Sequence, residues 1–198
     1  MANTQATLSR RDVVARILKH REDALVVTGL GSSTWDVAAA DDNPLNFYLW
    51  GGMGGAAVLG LGLALAQPER RVLVITGDGE FMLGLGALAT IAVAAPGNLA
   101  VLVIDNEHYG ETGMQEGHTG AGVDLGGMAA AAGWPKTILA RTDDEVNALA
   151  PLLYNEPGPV FATVKVNRDP VPLVLPARDG TAIRARFREA LLGDKAFE

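Results

Sequence analysis

Two apolar runs of strand length, RVLVITG at 71–77 and AVLVIDN at 100–106, end abruptly in small and oxygen-bearing side chains. Neither alternates apolar with polar residues, so neither can lie with one face in water. Continuous Val/Ile/Leu runs belong to strands covered on both faces, the condition of a parallel sheet between layers of helices. ALVVTG at 24–29 and PVFATVKV at 159–166 have the same character, and LNFYLW at 45–50 adds another strand. Helix-like stretches separate them: an amphipathic segment at 9–20, a Gly-rich apolar run ending at 66, and FMLGLGALATIAVAA at 81–95, stopped by PGN. Asp124 can cap a helix that Gly133 ends, TDDEVNALAPLLYN opens with helix-start acids, and TAIRARFREALLG closes the chain. Alternating strands and helices imply right-handed crossovers, and the expected fold is α/β, a doubly wound parallel sheet. With 198 residues and no repeat or linker, residues 1–198 read as one domain.

Composition removes several functions. A net charge of −7 disfavours a nucleic-acid surface, and the absence of Cys removes disulfides, thiolate nucleophiles and iron–sulfur ligation. The first twenty residues mix basic residues into an amphipathic pattern with no apolar core of a secretory leader, so a cytoplasmic location is expected. FYLWGGMGGAAVLGLGLALA at 47–66 is uncharged and long enough to span a bilayer. Six of its residues are Gly and no basic cluster flanks it, so a buried, closely packed helix beside a ligand or another subunit is expected, with no membrane partner.

In open parallel sheets, ligands sit outside the carboxyl ends of the strands. Asp78 and Asn106 both fall at that edge, joined by a strand–helix–strand unit in which 26 residues separate Gly79 from Asn106. One carboxylate, one amide oxygen and backbone carbonyls make a hard-oxygen set suited to Mg²⁺, which keeps positions for substrate phosphate. Gly77 and Gly79 allow backbone to approach closely, and the helix that follows would aim N–H groups at an anion. Gly-Asp-Gly alone is ordinary turn chemistry; the second element at matching topology makes a metal-bridged diphosphate site the better reading. The stretch 107–123 is the longest without periodicity, as functional loops often are.

The segment GDGEFMLGLGALATIAVAAPGNLAVLVIDNEHYG resembles the thiamine-diphosphate binding motif, and residues 10–190 resemble the diphosphate-binding (PP) domain of that family. NPLNFYLWGGMG, ALATIA, YGETGMQ and GVDL are similar to sulfopyruvate and phosphonopyruvate decarboxylases. The resemblance implies Mg²⁺ held by Asp78, the Asn106 side chain and the His108 carbonyl. It implies N–H groups of Gly79 and Glu80 on the diphosphate, with Gly31 and Ser32 as a second diphosphate loop. Gly51 would accept from the aminopyrimidine through its carbonyl, and Met53 would prop the cofactor in its bent shape. Gly77, Tyr109 and Gly110 complete the expected cofactor-binding set, with His118 a candidate for proton transfer.

Such enzymes also need a pyrimidine-binding (PYR) domain, whose Glu activates the cofactor, and this chain has no room for one. The resemblance therefore implies a separate PYR subunit in a hetero-oligomer, and a chain inactive alone. The reaction implied is non-oxidative decarboxylation of a small 2-oxo acid to an aldehyde. Three positions depart from the pattern. Ser33 stands where relatives acting on phosphonate or sulfonate substrates carry Lys or Arg, Glu111 stands where a small polar residue is usual, and Glu80 brings a carboxylate beside a diphosphate, with its side chain expected to turn outward. Rival readings are a carboligase or a 2-oxoacid oxidoreductase subunit, a non-catalytic PP-like structural subunit, and a dinucleotide-binding oxidoreductase built on GGMGGA at 51–56. The last lacks an acid at the required distance.

Overall fold

A computed structural model describes residues 6–197. The first five residues, on which part of the leader reading falls, lie outside the described residues. In chain order the elements are α1 (Arg10–Leu18), β1 (Leu25–Thr28), α2 (Ser32–Ala40), β2 (Asn46–Tyr48), α3 (Ala56–Ala66), β3 (Val72–Gly77), α4 (Asp78–Leu83) and α5 (Ala87–Ala94). There follow β4 (Leu99–Asp105), β5 (His108–Tyr109), β6 (Gln115–Glu116), α6 (Leu125–Ala131), β7 (Lys136–Ala140), α7 (Asp143–Asn155), β8 (Val160–Lys165) and α8 (Gly180–Leu192).

Among the described residues, six strands form one parallel sheet in the order β2-β1-β3-β4-β8-β7. The doubly wound expectation is met. Alternate residues of β3 show why the run is continuously apolar: Leu73 and Ile75 enter the layer with α1 and α7, whereas Val72 and Val74 enter the layer with α3 and α5. From β1 the chain winds outward to β2, then returns to place β3 on the other side of β1. That reversal opens a crevice at the carboxyl ends of β1 and β3, where ligands bind in such sheets.

Three elements differ from expectation. The helix expected at 81–95 is two helices, α4 and α5, because Gly84 lies against Gly54 and a Cβ there would collide with the Gly54 carbonyl. The helix expected to be buried, α3, packs closely on one side, where Gly60 leaves no room for a Cβ beside Val74. Its other side, with Val58 and Leu65, is exposed. The aperiodic loop holds an antiparallel hairpin, with Tyr109 paired to Gln115. The expected cap is present, with Asp124 accepting from Gly127 N; the acids expected at the start of α7 lie in its first turn, where Thr142 and Glu145 also form a capping box. Among the described residues no helix is long and apolar enough to cross a membrane.

Candidate active site

At the reversal point a cavity of about 520 Å³ is lined by Gly31, Ser32, Met53, Gly77, Asp78, Gly79, Glu80, Asn106, His108, Tyr109 and Gly110. Every expected cofactor-binding residue except Gly51 is among them. Gly51 is exposed on the turn before α3, and His118 is exposed on the loop after β6, its Nδ1 3.2 Å from the Tyr109 hydroxyl. The imidazole therefore reaches the cavity only through Tyr109, whose ring lies over Gly79 where a Cβ would clash.

Register fixes the two oxygen donors. Gly77 pairs with Ile104, so the chains leave β3 and β4 side by side and deliver Asp78 and Asn106 to the same edge. Asp78 is buried as the first residue of α4. The Thr119 hydroxyl lies between two carboxylates, 2.7 Å from Asp105 Oδ1 and 3.1 Å from Asp78 Oδ2. Lys165 pairs with Asp105 at 2.8 Å and Glu107 at 2.7 Å, leaving Asp78 without an ion-pair partner among the described residues. Burial, followed by the charge of Asp105, pushes the Asp78 carboxyl up to about 7. Among the described residues no three Asp, Glu, His or Cys side chains gather as a metal site.

The turn after β4 organises the other donors. Glu107 adopts φ +65° and donates its N–H to Asp105 Oδ1 at 3.0 Å. His108 N donates to Asn106 Oδ1 at 3.1 Å, and His108 Nδ1 lies 3.1 Å from the Asn106 carbonyl. Arg168 Nη1 is 3.1 Å from His108 Nε2. This pattern suits an imidazole protonated on Nδ1 that accepts from Arg168, a ring already engaged away from Asp78.

Glu80 corrects an expectation. Its carboxylate turns inward rather than outward: Oε1 accepts from Gly54 N at 2.9 Å and Ala56 N at 3.3 Å, and Oε2 accepts from the Thr76 hydroxyl. The N-terminal turn of α3 supplies acceptor-seeking N–H groups, which stabilise an inward carboxylate. Glu111 lies against Gly31, the N-cap of α2 at φ +91°, and burial raises its pKa.

Several residues of the site were not marked in the sequence. Arg10 and Trp35 line the cavity from α1 and α2, and Arg168 and Asp169 from the segment after β8. Arg10 is fixed by Asp36 at 2.6 Å and by the Ser32 carbonyl at 3.2 Å. Thr119 and Lys165 surround Asp78 and Asp105 from a loop and a strand end. Only Asp105, beside Asn106, carried a visible signal.

The parallel sheet, with a crevice at its reversal point and two oxygen-bearing side chains at adjacent strand ends, defines an α/β protein of the doubly wound class. Residues 29–164 match the thiamine pyrophosphate enzymes, through their C-terminal TPP binding domain, and the chain belongs to that family. It is 37% identical over 186 residues to sulfopyruvate decarboxylase subunit beta of Methanothermobacter thermautotrophicus, covering 94% of this chain and 97% of that one. It is 40% identical over 170 residues to phosphonopyruvate decarboxylase of Streptomyces viridochromogenes, covering 82% of this chain and 42% of that protein. A solved structure of a protein from Mycobacterium smegmatis superposes with a TM-score of 0.71 at 22% identity, over 84% of this chain and 34% of that one, a likeness of fold.

Proposed function

We propose that this chain is the PP subunit of a thiamine-diphosphate- and Mg²⁺-dependent decarboxylase of small 2-oxo acids, a carboxy-lyase completed by a separate PYR subunit. The observation that carries the reading is the buried Asp78 at the head of α4, without an ion-pair partner among the described residues and inside a cavity lined by the motif residues. The similarity to a beta subunit along nearly its whole length supports both the chemistry and the division into subunits.

Thiamine diphosphate bound here would supply an electron sink for decarboxylation of a 2-oxo acid. Asp78, the Asn106 amide oxygen and the His108 carbonyl would hold Mg²⁺. N–H groups of Gly79, Glu80, Gly31 and Ser32 would orient the diphosphate. Met53 lines the cavity and is 42% exposed, and Gly51 is exposed two residues earlier on the same turn, outside the cavity lining. The exposed apolar residues Val58 and Leu65 on α3, with Leu83 on α4 and Val93 on α5, offer a PYR subunit its contact. Residues 1–198 constitute the single PP domain in this proposal.

Native mass spectrometry tests it, using the chain with any subunit that co-purifies, Mg²⁺ and either thiamine diphosphate or NAD. A thiamine-diphosphate adduct that requires Mg²⁺ and is lost in Asp78→Ala is expected. An NAD adduct instead would overturn the assignment.

A further inference from the structure

Glu80 carries a buried carboxylate that no diphosphate role explains. Among the described residues it pairs with no Arg or Lys. Its two oxygens are instead spent on Gly54 N, Ala56 N and the Thr76 hydroxyl. Its stem also fills the space over Gly29, where a Cβ would come within 2.6 Å of Cδ. One side chain thus joins the ends of β1 and β3 to the turn that opens α3. A second contact holds the same turn: Gly54, at φ +82°, meets Gly84 backbone to backbone, with the Gly84 nitrogen 2.8 Å from where a Gly54 Cβ would stand. The turn carries Gly51 and Met53.

We infer that Glu80 is a positioning residue that sets the Gly51–Met53 turn at a fixed distance from the diphosphate-binding N–H groups of Gly79 and Glu80 itself. Its backbone serves the diphosphate end of the site and its carboxylate serves the opposite end, where the ring system would be propped. An ionised carboxylate accepting backbone N–H groups makes stronger bonds than a neutral acceptor, and here it faces the N-terminus of a helix. This role rests on the cofactor reading above. It explains why an acid is tolerated beside a diphosphate: the charge is directed into the fold and consumed there.

Binding of Mg²⁺–pyrophosphate and of Mg²⁺–thiamine diphosphate, measured by calorimetry on the chain with any co-purifying subunit, separates positioning from bulk stability. Glu80→Ala should weaken thiamine diphosphate by about tenfold or more while pyrophosphate changes by less than about threefold, because only the longer ligand reaches the turn. Glu80→Asp, which keeps the charge but cannot reach Gly54, should follow Glu80→Ala and serves if that variant does not fold. Glu80→Gln, which keeps an oxygen for Gly54 and Ala56, should stay within about threefold of wild type for both ligands. Amide exchange at Gly54 and Ala56 should quicken in the Ala and Asp variants and not in Gln. Equal losses for both ligands, or no loss in Glu80→Asp, would overturn the positioning role while leaving the cofactor assignment standing. A wild-type assembly that binds pyrophosphate but not thiamine diphosphate would overturn both.

Discussion

At the scale of single residues, the cavity is governed by two carboxylates in opposite situations. Asp78 is buried with a hydrogen bond from Thr119 but no ion-pair partner among the described residues, and its carboxyl is pushed up to about 7. Its folded pKa exceeds that of an unfolded Asp, so folding takes up a proton between roughly pH 4 and 7. The cation-free chain should therefore be more stable below that window and lose stability as pH rises through it. Thermal melts should show that decline in wild type and a shallower one in Asp78→Asn. Mg²⁺ should raise the wild-type melting temperature more at about pH 8 than at about pH 5.5, because protons and the cation compete for one group. A Mg²⁺ shift that survives in Asp78→Asn would remove this residue from the metal site. Glu111 presents the reverse case, a carboxylate resting against Gly31 where an anion is expected to dock. Glu111→Gln removes that like charge and should tighten Mg²⁺–pyrophosphate binding by roughly threefold to tenfold, less at high salt. An unchanged affinity would mean that the side chain swings clear at no cost.

At the scale of elements, legibility followed burial. β3, β4 and β8 could be read because both faces are covered, which forces continuous apolar runs. β7 (KTILA) escaped notice: as an edge strand with residues of intermediate exposure, it needs no such run. α2 (SSTWDVAAA) also escaped, since its place is fixed by polar contacts rather than periodicity. Asp36 pairs with Arg10 and Arg11, and Thr34 donates to the Gly29 carbonyl at 2.6 Å. The site divided likewise. Asp78 and Asn106 stood out at strand ends, whereas Thr119 and Arg168 come from segments with no repeating pattern. The break between α4 and α5 was hidden because it depends on Gly54, thirty residues from Gly84. It yields a paired prediction. Gly84→Ala drives a Cβ into backbone that cannot yield and should cost about 1–3 kcal/mol in urea unfolding. Gly86→Ala, two residues on with open space around it, should stay within about 0.5 kcal/mol. Equal effects would mean that helix propensity, and not the Gly54 contact, sets the break.

At the scale of the whole molecule, the chain holds one end of a proposed cofactor and leaves the other end at its surface. In that proposal the diphosphate end would be enclosed by residues at the ends of β1, β3 and β4. Gly51 and Met53 are exposed and are followed closely by α3, whose outer face is apolar. Binding and turnover should therefore respond to different parts of the surface. Val58→Glu with Leu65→Glu places charges on the outer side of α3, at exposed residues outside both the cavity lining and the core cluster. Burying such charges in an apolar interface costs several kcal/mol, enough to dissociate a complex of ordinary affinity. The double variant should keep the wild-type melting temperature and Mg²⁺–pyrophosphate affinity. It should lose co-purification with its partner subunit, and with it all decarboxylation. Met53→Ala should do the opposite, keeping the assembly and lowering turnover, since Met53 belongs to the cavity rather than to the outer side of α3. Retained assembly and activity in the α3 variant would move the partner's contact to another face, most directly to the edge strand β7 with its exposed Leu139.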